Sequence, residues 1–149
     1  MAKPQVPFQP GCVYHLFNHG AGSEWLFKRH RNYERFLVNY RKYIVSIADT
    51  FAYCLMPNHF HMLVRIQKDD AINKLLKKNQ QAEQYLAHQF GTLENAYAKY
   101  YNTFYQRKGP LFQSRIQRRK IDSRSYFENS VRYIHMNPVY HGFSEKPDD

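Results

Sequence analysis

The spacing of apolar positions changes several times along the chain, and each change marks an element. Cys12 to Asn18, "CVYHLFN", alternates and is rich in aromatic residues, which predicts a strand. "HGAGS" follows as a glycine-containing loop. From Arg31 to Thr50, Phe36, Leu37, Tyr40, Ile44 and Ile47 recur at three- and four-residue spacing, the pattern of an amphipathic helix. "FAYCLM" and "FHMLVRIQ" are then two short apolar runs on either side of a Pro57-Asn58 turn, which predicts an antiparallel hairpin. Lys68 to Gly109 is polar and helical in character. Within it Tyr97, Tyr100, Tyr101, Phe104 and Tyr105 share one helical face, expected to pack on a sheet rather than to stack on bases. "LFQSRIQRRKI" has mixed strand character and is strongly basic. "SYFENSVRYIHMNP" opens with Ser125 and carries Glu128 three residues on, a capping-box pattern, and is expected to stop at Pro138. The order strand, helix, strand, strand, helix, strand, helix predicts an α+β fold, an antiparallel sheet with helices packed on it. The length, residues 1–149, suits a single domain.

Composition narrows the function classes. Hydrophobic residues make up 43% of the chain, too many for a disordered tail. No apolar run is long enough to span a membrane, and "MAKPQVPFQPGC" lacks the apolar core of a signal peptide, so a cytoplasmic location is the default expectation. Cys12 and Cys54 are accordingly expected to be reduced core residues. Lys and Arg number 22 against 12 Asp and Glu, a formal net charge of +10, which favours a polyanionic partner and most simply nucleic acid. A membrane surface is the weaker alternative, because no basic amphipathic helix of the membrane-binding kind stands out.

Two histidines then draw attention. In a strand, residues i and i+2 point to the same face, so His59 and His61 would project side by side while Phe60 and Met62 point the other way. Neutral imidazole is a common metal ligand, but two ligands do not make a tight site, and His-x-His alone is weak evidence. The last helix offers more. Tyr133 and Asn137 are four residues apart and share a helical face at the edge of the Phe127, Val131, Ile134 stripe. Spacing alone leaves both readings open: an amide oxygen completing a metal site, or a rim tyrosine and an ordinary helix-end asparagine.

Four stretches, "GCVYHLFNHG", "AYCLMPNHFHMLV", "GPLFQSR" and "RYIHMNPVYHGF", occur in this order from about Gly11 to Phe143. Together they resemble the single-tyrosine HUH transposases, the IS200/IS605-like group, and within it the branch of REP-associated tyrosine transposases. The resemblance implies a ferredoxin-like HUH nuclease domain. It implies His59 and His61 as the metal-binding pair, Asn137 as the third ligand, and Tyr133 as the nucleophile on the last helix. The implied cofactor is a divalent ion, Mg2+ or Mn2+. The implied substrate is single-stranded DNA beside an imperfect hairpin, as at a repeat or transposon end.

That chemistry would cleave and rejoin DNA through a 5′-phosphotyrosine, and it would confine the protein to the cytoplasm near the nucleoid. A homodimer is left open as the assembly. The basic residues Arg115, Arg118, Arg119, Lys120, Arg124 and Arg132 surround the candidate nucleophile and are expected to hold the DNA backbone. Tyr126 is a rival nucleophile two helical turns earlier, and His15, His19, His135 and His141 are expected to be structural. A non-cleaving module that grips structured DNA or RNA, and a replication or plasmid-nicking initiator, are the competing functions. Two departures from the family pattern stand out: His19-Gly20 where relatives often carry Arg-Gly, and an end at Asp149 where relatives commonly continue into a Trp- and Ser-containing segment.

Overall fold

A computed structural model describes residues 5–145. The elements run β1 (Val13–His19), α1 (His30–Ile44), β2 (Ala48–Met56), β3 (His59–Ile66), α2 (Asp69–Asn73), α3 (Ala82–Phe104), β4 (Gln117–Ile121) and α4 (Arg124–Tyr140). The four strands form one antiparallel sheet in the order β2-β3-β1-β4. This is the split arrangement in which β3 is inserted between β1 and β2, as in ferredoxin-like folds. The expected α+β architecture is the one observed.

The sheet has two unlike faces, and strand alternation decides which residue goes where. One face carries Tyr14, Leu16, Phe60, Met62, Val64 and Ile66 against Phe36, Ile44, Leu86, Phe90, Leu93, Tyr97 and Tyr101, so α1 and α3 cover the main core. The predicted tyrosine face of α3 packs here, with Tyr97 donating to Leu26 O and Tyr101 to Trp25 O. The segment before β1 joins the same core through Phe8, which stacks on Phe90. The other face carries a smaller cluster, Ala52, Cys54, Met56, Leu63 and Ile121, covered by Ile134 of α4. Beyond that cluster this face becomes polar.

The element boundaries depart from the sequence reading in three places. β2 begins at Ala48, so the end of the predicted helix is strand, with a register shift between Thr50 and Ala52. The predicted helical stretch from Lys68 to Gly109 breaks into α2 and α3, with Asn79 at φ 65° between them. A left-handed residue cannot continue a right-handed helix. Finally, α4 does not stop at Pro138 but carries it inside its last turn. The true stop is Gly142, at φ 75°: its N–H bonds Val139 O and the Phe143 N–H bonds Pro138 O, which together satisfy the last carbonyls. At the other end Ser123, not Ser125, is the cap, its hydroxyl accepting from Tyr126 N.

Candidate active site

β3 begins immediately after the Pro57-Asn58 turn, so His59 and His61 occupy its first and third positions, facing α4. Both are buried, His59 at 3% and His61 at 6% exposure. Pairing with β1 sets His19 opposite His59 and Phe17 opposite His61. The α4 face of the sheet therefore gathers His15, Phe17, His19, His59 and His61. Gly20 holds the end of β1 in place: its N–H bonds Asn58 O, and a Cβ there would lie 2.2 Å from Glu24 O.

α4 supplies the other half. Asn137 is 1% exposed and brings its Oδ1 to 3.2 Å from His59 Nε2. One turn earlier, Tyr133 is 44% exposed and sets its ring at 5.3 Å from that of His61, edge to face. The sequence-predicted quartet is thus brought together, the strand pair from one side and the helix pair from the other. Tyr126 is placed differently, with its ring packed against the small apolar cluster.

The hydrogen bonds at His59 define a lone-pair arrangement. Its Nδ1 lies 2.7 Å from Asn58 Oδ1 and its Nε2 3.2 Å from Asn137 Oδ1; both oxygens only accept and a neutral ring has one proton to give, so the shorter contact favours Nδ1 as the donor. Nε2 then faces Asn137 Oδ1, a second acceptor, with no proton between them. An imidazolium could serve both, but burial, the largest effect, pushes the His59 pKa down to about 4, with His19 and His141 adding to the fall and the Asn137 contact opposing it. Burial, then the neighbouring His15, pushes His61 down to about 3. Both rings are therefore neutral near pH ~7, the form that binds metal. Asn137 Nδ2 is buried with no hydrogen-bond partner among the described residues. The two facing acceptors, with the His61 ring 5.4 Å from that of His59, fit a cation held by His59, His61 and Asn137. Among the described residues no group of three or more His, Cys, Asp or Glu side chains is arranged to hold a metal.

Three histidines expected to be structural lie against the site. His15 Nε2 is 2.8 Å from His61 Nδ1. His19 stacks on His59 with ring centres 4.9 Å apart, and His141 meets His59 edge-on at 4.8 Å. His15 and His19 share the i, i+2, i+4 alternation of β1 with Phe17. That signal is present in "HLFNH" but becomes informative only once β1 is known to pair with β3. His135 is exposed on α4.

The basic residues divide between the two sheet faces. Arg119 pairs across β1–β4 with His15 and lies 5.5 Å from the Phe17 ring, on the histidine face. Arg115 and Arg132 are exposed, in the loop entering β4 and next to Tyr133. Arg124 pairs with Glu128 at the exposed start of α4. Arg118 and Lys120 point to the opposite face, where Arg118 donates to Val6 O over the Phe8 ring and Lys120 donates to Gln9 Oε1.

Among the described residues no helix is long and apolar enough to cross a membrane. No family model and no curated protein matches the sequence. Among solved structures, the chain is similar to a REP-associated tyrosine transposase bound to a REP hairpin, with a TM-score of 0.70 and 13% identity over 99% of this chain and 78% of that one. The fold of this chain is thus the fold of a tyrosine transposase, reached with little identity of sequence.

Proposed function

We propose that this protein is a metal-dependent single-stranded DNA nuclease and strand transferase that cuts beside a hairpin through Tyr133. One observation carries the reading: an accessible tyrosine lies against a buried pair of neutral histidines, with an amide from the same helix closing on them. The Tyr133 hydroxyl oxygen attacks the scissile phosphorus. The new bond is Oη–P and the bond lost is P–O3′, and the proton lost from the tyrosine hydroxyl ends on the leaving O3′, so the products are a 5′-phosphotyrosine and a free 3′-OH. Phosphodiester number is conserved, and the reverse attack reseals the strand. A divalent ion, Mg2+ or Mn2+, held by His59, His61 and Asn137 would neutralise and polarise the phosphate.

The chain's own residues do the rest. Ile134 packs α4 on the sheet, which sets Asn137 against His59 and Tyr133 beside His61. Exposure of Tyr133 leaves its ring open to a strand lying across the sheet face. Arg115, Arg119 and Arg132 border that path, and Arg124 can join it because an exposed pair with Glu128 contributes little. The similar protein's hairpin ligand supports a hairpin-bearing strand as the substrate here. A cytoplasmic, nucleoid-associated location accords with that substrate.

Incubation with single-stranded hairpin DNA and Mn2+, followed by a denaturing gel, tests the proposal. A protein–DNA adduct is expected with the unaltered protein and with Tyr126→Phe, and none with Tyr133→Phe. DNA retained on a native gel without any adduct in a panel of hairpins would favour the non-cleaving module instead.

A further inference from the structure

His61 has a buried neighbour whose chemistry the proposed reaction does not use. His15 Nε2 lies 2.8 Å from His61 Nδ1, both side chains on the α4 face and both less than a tenth exposed. Two neutral imidazoles share one proton across such a contact. Two arrangements are available. If His15 donates, His61 must carry its own proton on Nε2, and that nitrogen cannot bind a cation. If His61 donates from Nδ1, its Nε2 is left as a lone pair.

His59 indicates which arrangement the site is built for. Its Nδ1 makes the shorter of two contacts with amide oxygens, 2.7 Å to Asn58 Oδ1 against 3.2 Å from Nε2 to Asn137 Oδ1, which favours the proton on Nδ1 and a lone pair on Nε2. The two histidines of the pair are thus treated alike: each has Nδ1 tied by a neighbour. We propose that His15 is a positioning residue that accepts the His61 Nδ1 proton and so fixes His61 as the Nδ1–H tautomer, with Nε2 free as a ligand. His15 then carries its own proton on Nδ1. Arg119 lies directly across from His15 on β4, a fixed positive charge beside that ring. Partners of this kind orient a metal-binding histidine and raise its basicity.

The inference rests on the reading of His61 as a metal ligand, and the test separates the two. In the metal-free protein labelled with 15N at histidine, long-range proton–nitrogen spectra report which His61 nitrogen carries the proton. The expected result is protonated Nδ1 and unprotonated Nε2; protonated Nε2 overturns the proposal whatever the metal does. Binding of Mn2+ is then compared in variants whose folding is checked by the same spectra. His15→Leu is expected to weaken Mn2+ about 10- to 100-fold, and His15→Gln, which keeps an acceptor, to recover most of the loss. An unchanged affinity in folded His15→Leu overturns the role. Absence of Mn2+ binding by the unaltered protein, with Nδ1–H found at His61, overturns the metal reading and leaves the tautomer assignment standing.

Discussion

At position 137 the chain buries an amide at 1% exposure and leaves its nitrogen without a partner among the described residues. Buried polar groups are ordinarily paired, and an orphan costs about 1–3 kcal/mol. Removing it should therefore do little harm to the fold while removing the proposed ligand. For Asn137→Ala we expect a stability change of no more than about 1 kcal/mol; the proposed site also predicts a melting-temperature rise with Mn2+ in the unaltered protein and none in the variant. Thermal melts with and without Mn2+ measure both. Gly20 shows the opposite balance. A methyl group there meets Glu24 O at 2.2 Å, a backbone atom that cannot swing away. Gly20→Ala should cost about 2 kcal/mol in a urea titration, and it should also disturb the Asn58 backbone that carries the His59 anchor. A cost below about 0.5 kcal/mol would mean that the turn can open.

Elements set how much of this was legible beforehand. Alternation in "CVYHLFN" marked β1, the apolar run "FHMLVRIQ" marked β3, and a period of two placed His59 and His61 on one face, because that period depends only on local backbone geometry. Helix ends were less legible. Pro138 carries a strong stop signal, yet α4 runs through it because the left-handed turn at Gly142 closes the helix one turn later. That extra turn brings His141 up to His59. The roles of His15 and His19 could not be read from β1 alone, since they follow from pairing with a strand about 45 residues away. Likewise the run from Arg115 to Lys120 reads as one basic stretch, but strand alternation sends Arg118 and Lys120 to the far face. The docking of α4 is itself testable. Ile134 is fully buried and the main apolar contact of the helix with the sheet. Ile134→Ala should cost about 2–5 kcal/mol, and if the site is divided between sheet and helix, Mn2+ affinity should fall with it. A fall in stability without a fall in affinity would detach Asn137 from the site.

The whole molecule responds to acid and salt in calculable directions. In the metal-free protein His15, His59 and His61 bind protons only near pH 4, 4 and 3, mainly because burial penalises the charged ring. The same side chains in the unfolded chain titrate near ~6.5. Between those values the unfolded state holds more protons, so stability rises with pH. The contribution is complete above pH ~6.5 and is lost as pH falls toward ~4. Urea midpoints should drop between pH ~7 and ~5, and the drop should shrink in His15→Gln; a flat profile would contradict the burial of neutral rings. The net charge of +10 acts at longer range. Affinity for a hairpin strand should fall steeply as salt rises, because phosphate contacts release counterions. Arg119→Ala should lower that salt slope, whereas Lys120→Ala, on the far face, should leave it nearly unchanged.

The central claim is that Tyr133 becomes covalently bound to DNA, and peptide mapping of the adduct tests it most directly. Trypsin cuts after Arg124 and Arg132, so Tyr126 and Tyr133 fall in different peptides. Mass spectrometry of the nuclease-trimmed adduct should find the added nucleotide on the peptide that begins at Tyr133, with fragment ions placing it on that first residue. A nucleotide on the peptide that begins at Ser125, or on Tyr140 within the later one, would contradict the account.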